Sequence, residues 1–134
     1  MVMVNWKENY AIGILAIDEQ HKELFRLTNE VYALLNDVLI TDKYDQILSV
    51  IDALREYTIE HFAAEEAYML EKRYKKFFFH KTLHADFIDK INSIDLTQID
   101  NDQNLYVRKI LNFVAEWLVD HILIEDKLLA SLND

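Results

Sequence analysis

Residues 47–69 read ILSVIDALREYTIEHFAAEEAYM, and their apolar positions recur at helical period. Ile47, Ile51, Leu54, Thr58, His61, Glu65 and Met69 follow one another in steps of three and four, the spacing that lines side chains along one face of an α-helix. An inward stripe that carries a histidine and a glutamate needs explaining, because burying such groups without partners is costly.

The same period appears in three further segments. One runs from about Asp18 to Leu39 with His21, Leu24, Thr28, Val31, Leu35 and Val38, flanked by Phe25 and Tyr32, and places Asp18 to cap the helix start. After a short turn at Ile40 to Lys43, the quoted stretch belongs to a segment from about Asp42 to Leu70. A third, from about Lys75 to Ile94, carries Phe77, His80, His84, Phe87, Ile91 and Ile94. A polar connection from Asp95 to Asn104 leads into the last segment, to about Leu129, with Tyr106, Ile110, Phe113, Trp117, His121 and Ile124. The expected fold is all-α, an antiparallel up-and-down four-helix bundle in which each stripe is buried by the others. Trp6, Tyr10, Ile12, Ile14 and Ile17 form an apolar N-terminal arm expected to cover one side or end of the bundle, with a backbone bend at Gly13.

Composition agrees. One glycine, no proline and 51% hydrophobic residues in 134 fit a single helical domain spanning 1–134 with a substantial core. The lack of cysteine excludes disulfides, a thiolate nucleophile and iron–sulfur clusters, so any metal must take nitrogen and oxygen ligands. A formal net charge of −10 repels phosphate backbones, and Lys72, Arg73, Lys75 and Lys76 read as a solvated corner between helices, so no nucleic-acid partner is expected. The run Ile110 to Val119 is short and contains Glu116, while Met1 to Tyr10 carries Lys7 and Glu8 after a brief apolar run. A soluble, cytoplasmic protein with no membrane partner is the expectation.

All five histidines fall on inward stripes. With about three inward positions in seven, chance would place five there about one time in seventy. His80 and His84, four apart, project from one helix face as two ligands to one ion require, and His61 with Glu65 repeats the geometry with an imidazole and a carboxylate. Any one of these histidines alone is more often a hydrogen-bonded core residue; together they point to metal. In an antiparallel bundle His21, His61, His80, His84 and His121 also meet at one level. A second carboxylate from the last helix leaves two choices. Glu125, four residues after His121, stands directly above it, whereas Asp126 lies about 140° around a regular helix and reaches the site only from a widened turn or from the flank.

These residues resemble the single-domain bacterial hemerythrin family, the bacteriohemerythrins. The resemblance is carried by Trp6, Tyr10, Gly13 and Ile14, by Ile17-Asp18-Glu19-Gln20-His21 and Asn29, and by His61-Phe62-Ala63-Ala64-Glu65-Glu66 with Met69 and Tyr74. It continues through His80, His84 and Phe87 to Trp117-Leu118-Val119-Asp120-His121-Ile122 and Asp126-Lys127. The resemblance implies reversible O2 binding at a non-haem di-iron centre: two iron ions per chain, alternating between ferrous and ferric, bridged by an oxo or hydroxo group. His80, His84 and His121 match the ligands of one iron, His21 and His61 those of the other, and Glu65 and Asp126 the bridging carboxylates. Asp126 is thereby preferred over Glu125, with an irregular turn or flank approach expected near it, and Glu66 and Glu125 read as outer or solvent-facing residues. Leu118 matches the leucine over the oxygen pocket, with Ile17, Phe25 and Trp117 as further walls. A narrow, dry pocket would slow oxidation to the inert di-ferric state. The family often has Tyr-Pro where this chain has Tyr74-Lys75, and the following Phe77-Phe78-Phe79 leaves Phe78 or Phe79 partly exposed if Phe77 turns inward.

The partner expected is O2, with an unidentified electron donor or oxygen-using enzyme beside it, in a monomer or weak homo-oligomer. The chain stops at Asp134 with no attached signalling module, which favours storage, delivery or scavenging over sensing. The alternatives are a di-iron oxidoreductase acting on O2, peroxide or NO, and a metal-free interaction module. The first typically uses Glu-x-x-His pairs, whereas Thr58, Phe77, Lys81 and Leu118 stand three residues before His61, His80, His84 and His121. An enzyme is therefore not expected.

Overall fold

The computed structural model describes residues 5–36, 44–93 and 103–133, and among these there are helices and no strand. The helices are α1 (Leu15–Asn36), α2 (Tyr44–Glu71), α3 (Phe77–Asn92) and α4 (Gln103–Asp120). The winding of α4 continues through a π-helical turn, His121–Glu125, into a 3-10 run, Asp126–Asn133. α1 packs against α2 and α4, and α2 against α3. The expected turn at Ile40 to Lys43, most of the connection Asp95 to Asn104, and Val38, Leu39 and Ile94 lie outside the described residues, as do the side chains of Leu35 and Tyr106.

Every residue of the α2 stripe is buried, and so are Phe77, His80, His84, Phe87 and Ile91 of α3. Thr28 and Thr58 fit these apolar faces because each hydroxyl donates to the carbonyl one turn back, Leu24 at 2.9 Å and Leu54 at 2.7 Å. The apolar side chains form three clusters. Val31, Tyr32, Ile47, Ile51, Val107 and Leu111 fill one end, and Leu24, Phe25, Leu54, Phe62, Phe87, Val114 and Leu118 are among those filling the middle. Ile12, Ile17, Met69, Phe77 and Leu129 close the other end.

Two expectations are corrected. The buried row of the last helix is Val107, Leu111, Val114, Leu118 and Ile122, one position on from the predicted Tyr106, Ile110, Phe113, Trp117 and His121; of the predicted series His121 is itself buried, Ile110, Phe113 and Trp117 are half-buried flanks, and Ile124 is 61% exposed. Both rows are apolar, so periodicity alone could not choose between them. Asp18 also does not cap α1, which begins three residues earlier, at Leu15. From inside the first turn its carboxylate accepts the backbone N–H of Ile12 at 2.8 Å and of Gly13 at 3.2 Å. It thus folds the arm back over the helix start, at a bend where Gly13 has φ 87°. The arm is further held by Lys127 Nζ donating to Ala11 O at 3.0 Å, and by edge-to-face contacts of Tyr10 with Trp6 and Phe25.

α2 ends in a corner where Tyr74 N–H reaches Met69 O at 2.9 Å and Arg73 N–H reaches Leu70 O at 3.1 Å, around a left-handed Arg73 with φ 54°. Lys72, Arg73, Lys75 and Lys76 are all exposed there. Phe77 turns inward, leaving both Phe78 and Phe79 exposed.

The burial pattern sets two expected outcomes in urea unfolding. Leu111→Ala should cost about 2–5 kcal/mol and Ile124→Ala no more than about 0.5 kcal/mol; equal effects would restore the sequence-based register. Arg73→Gly should stabilise by about 1 kcal/mol, since glycine adopts this backbone conformation without the steric cost of a Cβ.

Candidate metal centre

Between the middle and closing clusters lies a polar layer, supplied by one end of each helix. His21 comes from the start of α1, His61 and Glu65 from late in α2, His80 and His84 from the start of α3, and His121 and Asp126 from the turn after α4. That these residues meet shows neighbouring helices to be antiparallel. All seven are buried.

They form two groups that share their carboxylates. Ligand atoms of Glu65, His80, His84, His121 and Asp126 lie within 4.8 Å of one another, as do those of His21, His61, Glu65 and Asp126. Each carboxylate turns one oxygen to each group. Glu65 Oε2 stands 3.2 Å from His21 Nε2 and 2.9 Å from His61 Nε2, while its Oε1 stands 3.1 Å from His80 Nε2 and 3.2 Å from His84 Nε2. Asp126 Oδ2 is 3.1 Å from His21 Nε2, and its Oδ1 is 3.0 Å from His80 Nε2 and 3.2 Å from His121 Nε2.

The choice between Glu125 and Asp126 is resolved by the backbone. A π-helical turn winds more loosely than an α-turn and so reduces the angle between residues five apart. Asp126 is carried into the layer and fully buried, whereas Glu125 stays half-buried at its edge.

Beyond the donors, the outer ring nitrogens have unlike surroundings. His61 Nδ1–H donates to Gln20 Oε1 at 2.7 Å, and His84 Nδ1–H donates to Glu66 Oε2 at 2.9 Å. Each bond leaves its Nε2 facing the centre. Gln20 drew no role from the sequence; its signal is its place beside His21, at the level where an antiparallel α2 brings His61. Phe62 lies flat on the His84 ring at 3.8 Å and Trp117 on the His121 ring at 4.3 Å. Of the remaining predicted pocket residues, Leu118 and Phe25 are buried together in the middle cluster, and Ile17 in the closing one.

The electrostatics follow from burial and proximity. Burial alone would lower the His21 and His80 imidazoles, yet Asp126 and Glu65 outweigh it and hold each at about 9. Burial likewise works against the Glu65 carboxylate, but His61, His21 and His80 bring it well below the ordinary carboxylate range. Asp126 is also lowered: burial and the nearby Glu65 oppose its charge, and His121 and His21 overcome both.

Comparison with known proteins gives the same picture. Residues 13–132 match the family model described as "Hemerythrin HHE cation binding domain". The chain is 42% identical over 125 residues to a bacteriohemerythrin of Clostridium acetobutylicum, covering 93% of this chain and 97% of that one. It is 30% identical over 136 residues to a bacteriohemerythrin of Methylococcus capsulatus, covering 96% and 95%. A crystal structure of wild-type hemerythrin, 29% identical, superposes with a TM-score of 0.80 over 98% of both chains. With two carboxylate-linked donor groups in its core and relatives matched over nearly their whole length, the chain belongs to the hemerythrin family.

Proposed function

We propose that the chain binds O2 reversibly at a pair of iron ions held by His21, His61, Glu65, His80, His84, His121 and Asp126. The observation that carries this reading is the way the donor atoms converge. His121 Nε2 lies 3.0 Å from His80 Nε2 and 3.2 Å from His84 Nε2, and no placement of protons lets three such nitrogens satisfy one another. Both Asp126 oxygens are buried close to imidazole nitrogens without forming a hydrogen bond. Donors at right angles, each about 2.1 Å from one cation, stand about 3.0 Å apart, the separation these atoms have. The donor set fits a borderline ion such as iron.

Bound there, iron supplies the electrons for a reversible complex with O2. The side chains do the rest. Glu65 and Asp126 each face both groups and would hold the two ions as one unit. The group of His21 and His61 has one imidazole fewer than its neighbour and so would leave room for an outside ligand. Leu118, Phe25 and Ile17, all buried, and Trp117, half-buried, are assigned to the O2 pocket; apolar walls exclude water and anions from the ions. The protein is an O2 binder and not an enzyme, consistent with the hemerythrin family to which it belongs. Among the described residues no helix is long and apolar enough to cross a membrane. We assign it to storage, delivery, scavenging or sensing of O2 inside the cell, as a monomer or weak homo-oligomer with a separate electron donor.

Metal analysis with spectra of the reduced protein, before and after air and after argon flushing, tests this reading. Two irons per chain and an O2-dependent band that argon removes are expected; steady O2 consumption with no such band would refute it. His61→Ala should remove the ion beside His21 first, lowering iron toward one per chain and abolishing the band, whereas an unchanged spectrum would exclude His61 as a ligand.

The metal-free chain keeps protons where the ions belong, so loading at pH 7.5 should release about two protons per chain, from His21 and His80, measurable with a pH indicator. The sign for stability follows. Imidazoles raised to about 9 contribute fully below their ordinary 6.5 and cease to contribute as pH rises through 9. The lowered Glu65 and Asp126 contribute above the ordinary carboxylate range and lose that contribution in acid. The urea midpoint of metal-free protein should therefore fall between pH 7 and 10, while that of loaded protein changes less.

A further inference from the structure

A cavity of about 190 Å³ opens beside the π-helical turn, lined by Leu83, Trp117, Asp120, His121, Ile124 and Glu125. His121 is 6% exposed, whereas the other four histidines are 2% exposed or less. The half-buried Trp117 indole lies against the His121 ring at 4.3 Å with planes 12° apart. Phe62 stacks as closely on His84 but is itself buried, so Trp117 is the ring that touches both a histidine of the centre and this cleft. Ile124, 61% exposed, forms an apolar lip. Asp120 and Glu125 give the rim a negative charge in a chain already at −10.

We propose that this cleft is where an electron donor docks to return the oxidised centre to its O2-binding state. The donor is a one-electron carrier with a flat apolar face and positive charge around it. This inference rests on the di-iron reading above. Two donors each give up one electron and two ferric ions become ferrous, with no bond made or broken in the protein. Electron transfer weakens steeply with distance through protein, and the route from the cleft through Trp117 and His121 is a direct ring-to-ring path. The apolar lip accepts a flat face, and the acidic rim selects and orients a cation.

The test uses the iron-loaded, di-ferric full chain and methyl viologen. Stopped-flow absorbance follows reduction by the viologen radical cation at low ionic strength, and calorimetry measures binding of the oxidised viologen. Replacing both rim acids, Asp120→Asn with Glu125→Gln, should slow reduction and weaken binding about tenfold. Asp45→Asn with Asp52→Asn on α2, nearer the opposite end of the bundle, removes the same charge and should change both by less than about twofold. Equal slowing by the two pairs, or none from the rim pair, would overturn the proposal. The O2 reading fails separately, through absence of the argon-reversible band in the unaltered protein.

Discussion

Seven lone-pair-bearing side chains are buried in one layer, and apolar clusters on both sides keep water from it. Positive charge must therefore be present inside the bundle, because two carboxylates and five imidazoles cannot satisfy one another by hydrogen bonds alone. In the metal-free chain protons on His21 and His80 supply part of it. Two ions supply it more completely, since each can face several donors at once. Four helices are thus held at one register by a requirement that none of them can meet alone, and metal affinity becomes part of folding free energy.

Much of this was legible in the sequence. The stripe from Ile47 to Met69 marks the buried face of α2, and the spacing of His80 and His84 marks a shared face on α3, because residues four apart lie one turn above each other. On α4 the apolar arc is wide enough to hold two candidate rows. Ile110 and Leu111, Phe113 and Val114, and Trp117 and Leu118 are apolar neighbours, so a pattern counted along the chain could not say which of each pair faces inward. Only packing against α1 settles it. Asp18 misled for a related reason: an aspartate near a helix start reads as a cap, and its true role, holding Ile12 and Gly13 of the arm, depends on the chain having already turned back.

The two donor groups are also unequal, beyond the count of their histidines. His84 leans on a carboxylate, Glu66, and His61 on an amide, Gln20. A ring that donates to a negative group becomes a stronger electron donor to its metal, and one that donates to a neutral oxygen less so. The group with more imidazoles thus also holds the ring backed by negative charge. An ion held there would tolerate higher charge better than one held by His21 and His61, whose outer partner carries no charge.

The loosened turn at His121–Glu125 does more than bring in Asp126. It adds one residue to the rhythm of the last helix, and everything beyond it is phased by that addition: Lys127 toward Ala11, and Leu129 toward Ile12 and Met69. If the turn wound regularly at its present length, the aspartate would stand about 140° around from His121, and the lysine and the leucine would rotate with it; one residue fewer would instead set the aspartate four residues after His121, directly above it. For this segment, winding and length are therefore coupled: the surplus residue is absorbed where the turn widens, and every side chain beyond it keeps its face.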